Sequence, residues 1–79
     1  MRIDKFLKVS RIIKRRTLAN EACDGGRVSL NGKAAKAGAE VKAGDEIEIR
    51  FGNNVTKLRV LRVSEHVSKA ETKEMYELL

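Results

Sequence analysis

Two glycine-containing joints, Gly25-Gly26 and Asn31-Gly32, divide this chain into parts that cannot share one kind of secondary structure. Before the first joint, apolar residues recur at helical spacing. After it, they alternate. Gly25 and Gly26 supply the left-handed conformations that end a helix cheaply. Asn31-Gly32 is the strongest short hairpin signal a sequence can carry. The chain must therefore turn from helix to sheet within a few residues.

On the helical side, a first helix is predicted over Arg2–Val9. At about 100° per residue, Ile3, Phe6, Leu7 and Ser10 share one arc, and Arg2, Lys5 and Lys8 take the opposite one. Val9 falls on the basic side, and Ile12 and Ile13 anchor the connection. A second helix is predicted over Arg15–Asp24. Leu18, Ala19, Ala22 and Cys23 give it a narrow face of small residues that allows close packing on the first.

On the strand side, Arg27–Leu30 alternates into the Asn31-Gly32 turn. Glu46–Phe51 alternates with Ile47, Ile49 and Phe51 on one face. Ala43-Gly44-Asp45 and Gly52-Asn53-Asn54 bracket it as turns. Thr56–Ser64 begins in phase at Leu58 and Val60, then slips to Leu61 and Val63, which predicts a bulge or a strand that changes faces. Ser68–Leu79 is predicted as a terminal helix, with Met75, Leu78 and Leu79 inward and Glu71, Glu74 and Glu77 outward. The fold class is α+β: two N-terminal helices packed on a small, mostly antiparallel sheet, with a short C-terminal helix.

The 79 residues make one domain. A domain this small buries only about 60% of the surface its unfolded chain exposes, so its core is thin. Cys23 is the only cysteine, so no disulfide framework staples the fold. Its place on the small-residue face predicts packing rather than redox chemistry. No run approaches the ~18 apolar residues that span a bilayer, and the charged start shows no signal-peptide core. The expected setting is the reducing cytoplasm.

Net charge is +6, and its position matters more than its size. Residues 1–16 hold Arg2, Lys5, Lys8, Arg11, Lys14, Arg15 and Arg16 against Asp4 alone, so all the excess lies there; the remainder balances ten basic with ten acidic residues. Repulsion of this kind costs stability, and an anionic partner is the usual reason to keep it. Lys14, Arg15 and Arg16 crowd a helix N-terminus, where cations are disfavoured by about 0.3–1 kcal/mol each and free N–H groups favour an anion. Asp4 suits the N-terminus of the first helix and is expected to pair with a nearby Arg or Lys. Little aromatic interleaving accompanies the cations, which points to structured RNA read through phosphate and shape rather than to base stacking.

The motifs Arg2–Lys8 (RIDKFLK), Arg15–Ala19 (RRTLA) and Gly26–Gly32 (GRVSLNG), in this order and spacing, resemble the S-four RNA-binding domain family. Val41–Asp45 resembles the turn before that family's next strand, with Ala43 where proline is usual and Arg15 where serine or threonine is common. The likeness runs through residues 68–79 to the short stand-alone members that serve ribosome-associated quality control. It implies a single S-four domain over 1–79 with a short helical extension at about 68–79. It implies an RNA face made of the helix pair and the hairpin turn, which adds Asn31 and Lys33 to the basic residues above. It also implies binding to obstructed large ribosomal subunits, through ribosomal RNA and peptidyl-tRNA, as a monomer. A protein partner would then add an alanine tail to the stalled chain.

Two other functions compete. One is a general ribosome-binding role in assembly or heat-shock rescue. The other is a membrane-surface module using the basic amphipathic first helix; it would spend Ile3, Phe6 and Leu7, which a thin core needs. Enzymatic chemistry is not expected: His66 has no partner at metal-ligand spacing, the serines lack a catalytic setting, and no phosphate-cradling glycine loop occurs. No cofactor or metal is expected.

Overall fold

The computed structural model describes residues 1–79. Helix α1 spans Ile3–Val9 and α2 spans Arg16–Asp24. Five strands follow: β1 Val28–Leu30, β2 Lys33–Ala34, β3 Glu46–Phe51, β4 Asn54–Val60 and β5 Tyr76–Leu78, with a 3-10 helix at Ala70–Glu74 before the last. They form one antiparallel sheet in the order β2-β1-β3-β4-β5. No helix is long and apolar enough to cross a membrane.

The core lies between the helix pair and one face of the sheet. Ile3, Phe6 and Leu7 of α1 are wholly buried, as their common arc requires. Ala19, Ala22 and Cys23 form the facing surface of α2, and Val28, Ile47, Ile49, Leu58, Val60 and Met75 close the layer from the sheet side. The first turn of α1 finds backbone partners in the loop before β3: Ile3 N–H donates to the Ala39 carbonyl at 2.7 Å and Asp4 N–H to that of Ala37 at 3.4 Å. Donors that a helix start leaves free are thus satisfied without a side-chain cap.

Both helices end on a left-handed residue. At the end of α2, Arg27 N–H reaches the Ala22 carbonyl and Gly26 N–H that of Cys23, with Gly26 at φ +80°. The two glycines therefore serve different ends. Gly25 is not left-handed, at φ −80°. It is needed because a Cβ there would stand 2.9 Å from the Glu21 carbonyl oxygen. At the end of α1 the left-handed residue is Arg11, at φ +63°.

The Asn31-Gly32 turn has φ +52° and +85° and joins β1 to β2 with Leu30 opposite Lys33, the geometry its sequence demands. Three readings need correction. The slip after Val60 is not a bulge: β3 and β4 pair without interruption from Glu46↔Arg59 to Phe51↔Asn54, and the chain then leaves the sheet. Leu18 and Phe51 are not core residues; they are 50% and 46% exposed and line an open cleft at the margin of the core. The segment predicted as a terminal helix keeps only the 3-10 turn over Ala70–Glu74; Tyr76–Leu78 is an edge strand paired with β4, so Met75 is buried while Leu78 and Leu79 face solvent.

Candidate nucleic-acid interface

The Asp4 carboxylate organises the N-terminal basic cluster. It is 2% exposed and sits on the first turn of α1. Its Oδ1 accepts the Lys5 backbone N–H at 2.8 Å. Arg2 spans both oxygens, with Nε 3.3 Å from Oδ1 and Nη2 3.3 Å from Oδ2. Oδ2 also takes Asn20 Nδ2 at 3.3 Å and Arg16 Nε at 3.5 Å, both from α2. Burial pushes this carboxyl up, but the Asn20 hydrogen bond, the Lys5 N–H and the Arg16 charge outweigh it, so it stays below the ordinary value of 3.8.

The arrangement makes two arginines into one feature. Arg2 and Arg16 stay 52% and 47% exposed while their inner edges are held. Their charge exceeds that of Asp4 by one. A guanidinium fixed in this way loses less freedom when its outer N–H groups meet a phosphate. Arg2, Arg16, Thr17, Asn20 and Glu21 line a shallow cleft above the carboxylate. The α2 N-terminus opens beside it with no side-chain cap and no acidic residue in its first turn, the setting that favours an anion.

The other sequence-predicted residues fall into different places. Lys8, Arg11 and Lys14 gather at the far end of α1, around an open cleft of about 600 Å³ shared with Val9, Glu65, His66, Val67 and Ser68. Lys5 lies between the two groups and is paired with Glu65 at 2.9 Å. Glu65 is held below its ordinary value by that hydrogen bond and by the Lys5 charge. Arg15 is exposed at the α2 N-cap. Asn31 opens onto a separate cleft with Glu46, Glu48 and Lys57. Its side chain is committed inside the protein: Nδ2 donates to Asp45 at 3.2 Å and Oδ1 accepts the Glu46 N–H at 2.9 Å. Lys33 is exposed on β2.

The acidic residues of the C-terminal part do not cancel these cations. Arg59 sits between Glu46 and Glu77 at 3.5 and 2.9 Å, and Arg62 meets Glu71 and Glu74. Glu65 is the one exception, through Lys5. The acidic residues of β3, β5 and the 3-10 helix are therefore occupied by Arg50, Lys57, Arg59 and Arg62, and they leave the N-terminal cations unpaired by them.

Sequence reasoning missed Asn20, although it stands four residues after Arg16 and so on the same helical face. His66 carried no local signal, because only the path of the chain after β4 brings it to Lys8 and Lys14. Cys23 is buried as expected, and burial, then Asp4 and Asp24, push its thiol to about 11.

The S4 domain family model, the S-four family of the motifs above, matches residues 1–47. The chain is 55% identical over 78 residues to the RQC P-site tRNA stabilizing factor of Halalkalibacterium halodurans, covering 99% of this chain and 89% of that protein. It is 52% identical over 79 residues to the factor of the same name from Bacillus subtilis, covering 100% and 92%. Heat shock protein 15 of Vibrio cholerae, solved as a trimer, matches with a TM-score of 0.90 and 30% identity over all of this chain and 81% of that one.

Proposed function

The chain belongs to the S4 domain family, and on that premise we propose that it binds structured RNA on the large ribosomal subunit and steadies P-site tRNA there during ribosome-associated quality control. The observation that carries the reading is the pair Arg2 and Arg16, on two helices, aimed outward from one buried carboxylate. Two preset guanidinium forks beside an uncapped helix start recognise phosphate oxygens rather than base edges. Such contacts suit folded RNA, whose shape and backbone are its accessible features.

Relatives named as P-site tRNA stabilizing factors, about half identical over nearly the whole chain, supply the ribosomal setting. In this reading Arg2 and Arg16 make the principal contact, and Lys5, paired with Glu65 at 2.9 Å, lies at its margin. Lys8, Arg11, Lys14 and Arg15 neutralise further phosphates, and Asn31 and Lys33 act through the hairpin. The protein works in the cytoplasm as a monomer and as a binding factor rather than an enzyme. The tRNA it holds lets a protein partner add alanine to the stalled chain, a step that rests on family likeness alone.

The test is co-sedimentation with large subunits carrying peptidyl-tRNA, comparing the protein with Arg16→Ala. Arg16 is half-exposed, so the variant folds; its binding is expected to be lost. A folded variant that sediments like the parent sinks the proposal. Equal binding to empty large subunits would instead favour a role in assembly.

A further inference from the structure

We propose that the cleft between the end of α1 and the Glu65–Ser68 loop is a second RNA-backbone site, holding a different RNA segment from the one met by Arg2 and Arg16. The inference rests on the RNA-binding reading above and deepens it.

Three observations carry it. First, Lys8, Arg11 and Lys14 converge on this cleft and none of them takes part in an ion pair. The one carboxylate in the lining, Glu65, is already bound to Lys5 at 2.9 Å, so it does not cancel them. Second, Arg11 is held at φ +63°, where glycine would be at ease. A side chain kept against such strain marks a position with a use for it. Third, the Lys5–Glu65 pair lies between the two basic groups and interrupts the positive surface. One continuous strand would have to cross that neutral strip; two separate segments need not.

The ligand chemistry follows from the lining. Val9 and Val67 are the apolar members, no Phe, Tyr or Trp is present, and the one ring is the His66 imidazole, so the lining is dominated by cations rather than by a stacking platform. Phosphate oxygens match three cations. The loop adds one further group. Ser68 Oγ is occupied with Glu71 at 2.8 Å, whereas the exposed His66 ring is free to donate, its carbonyl fixed by Ser64 Oγ at 3.2 Å. His66 is thus assigned as a phosphate contact that the helices alone do not reveal.

The test uses a thiol-linked photo-cross-linker placed at His66→Cys in one protein and at Thr17→Cys in another. Cys23 is 1% exposed with its thiol pushed to about 11, so it does not compete for the label. Thr17 lies in the cleft of Arg2 and Arg16. Each labelled protein is irradiated with large subunits carrying peptidyl-tRNA. The expected result is two sets of nucleotides on different RNA segments. No RNA adduct from position 66, with adducts from position 17, overturns this inference and leaves the RNA-binding reading standing. Overlapping sets also overturn it. Absence of adducts from both removes both. As a second measurement, Lys8→Gln/Lys14→Gln is expected to make the slope of log affinity against log salt shallower by about 2, with the position-17 pattern unchanged. An unchanged slope, or loss of both patterns together, refutes two independent sites.

Discussion

Arg16, on the first turn of α2, reaches back to Asp4 on the first turn of α1, with Nε 3.5 Å from Oδ2. The contact is long and Arg16 is half-exposed, so its own contribution to stability is small. Its consequence is orientation. Arg2, Arg16 and Asn20 all take their direction from Asp4, so the buried carboxylate sets the outer surface. In Asp4→Asn, an amide donor would face the donors of Arg16 and Asn20. The expected cost is about 1–3 kcal/mol, the range for a buried group left unsatisfied, read by urea denaturation. Ribosome association should weaken as well, because both guanidinium groups lose their anchor. A variant as stable as the parent would show that the carboxylate does not organise the pair.

The same group predicts an acid dependence whose sign is fixed. The Asp4 carboxyl is held below 3.8 in the folded protein. The unfolded chain therefore binds the proton more readily, and stability falls as pH drops. The contribution is complete above the unfolded value, from about pH 5 upward, and disappears as pH falls through the lower folded value. The stability gap between the protein and Asp4→Asn should thus be constant near neutrality and shrink below about pH 4. A gap that does not change with acid would contradict the assignment.

Arg11 predicts a trade between stability and binding. A left-handed conformation costs a non-glycine residue about 1–2 kcal/mol, and glycine's freer unfolded chain returns about 0.5–1 kcal/mol of that. Arg11→Gly should therefore stabilise the protein by about 0.5–1 kcal/mol. It should also weaken RNA binding by removing one of the three cations around the second cleft. Paired measurement of thermal unfolding and ribosome affinity checks both signs at once. A variant that loses stability would show that the arginine side chain contributes more to the fold than its backbone costs.

Asn31 braces the hairpin turn from within the protein. Its side chain ties the hairpin turn to Asp45 and to the Glu46 N–H that opens β3, and its φ of +52° suits few residues. Asn31→Ala loses two hydrogen bonds and meets backbone strain, for an expected cost of about 2–3 kcal/mol. Asn31→Gly restores the backbone freedom and should recover part of the loss. Any fall in RNA affinity in these variants should follow the loss of turn order seen by amide hydrogen exchange. An affinity lost while the turn stays protected would make Asn31 a direct contact.

What could be read from the sequence was what local physics decides. Both helices begin one residue later than expected and end where expected, because Val9 breaks one arc and the glycines close the other. The Asn31-Gly32 turn and β3 sit where alternation placed them. Asp4 was expected to pair with a nearby Arg or Lys, and it pairs with Arg2 and Arg16. The losses are non-local. Phe51 continues the Ile47–Ile49 face, but it stays half-exposed in an open cleft beside Leu18, Glu21 and Ala22 of α2. Leu18 lies beside Ala19 on the arc, yet at the margin of the packed surface. Glu71, Glu74 and Glu77 stand three apart, which imitates one face of a helix. Glu77 instead pairs with Arg59 across β4, eighteen residues away in the chain, a relation that no window of local sequence contains.

That last difference yields a discriminating pair of substitutions. Met75 is fully buried, and its carbonyl accepts N–H groups from Leu61 and Arg62, so it fastens the chain after β4 to the start of β5. Leu78 is 68% exposed on the edge strand. Met75→Ala should cost about 2–5 kcal/mol, the range for truncating a buried side chain. For a domain whose whole stability is of order 5–15 kcal/mol, that approaches unfolding. Leu78→Ser should change stability by no more than about 0.5 kcal/mol, as exposed substitutions do. A terminal helix with both residues inward would make the two losses comparable. Urea denaturation of the two variants separates these arrangements: a large loss at Leu78 would contradict the strand, and a small loss at Met75 would contradict its place in the core.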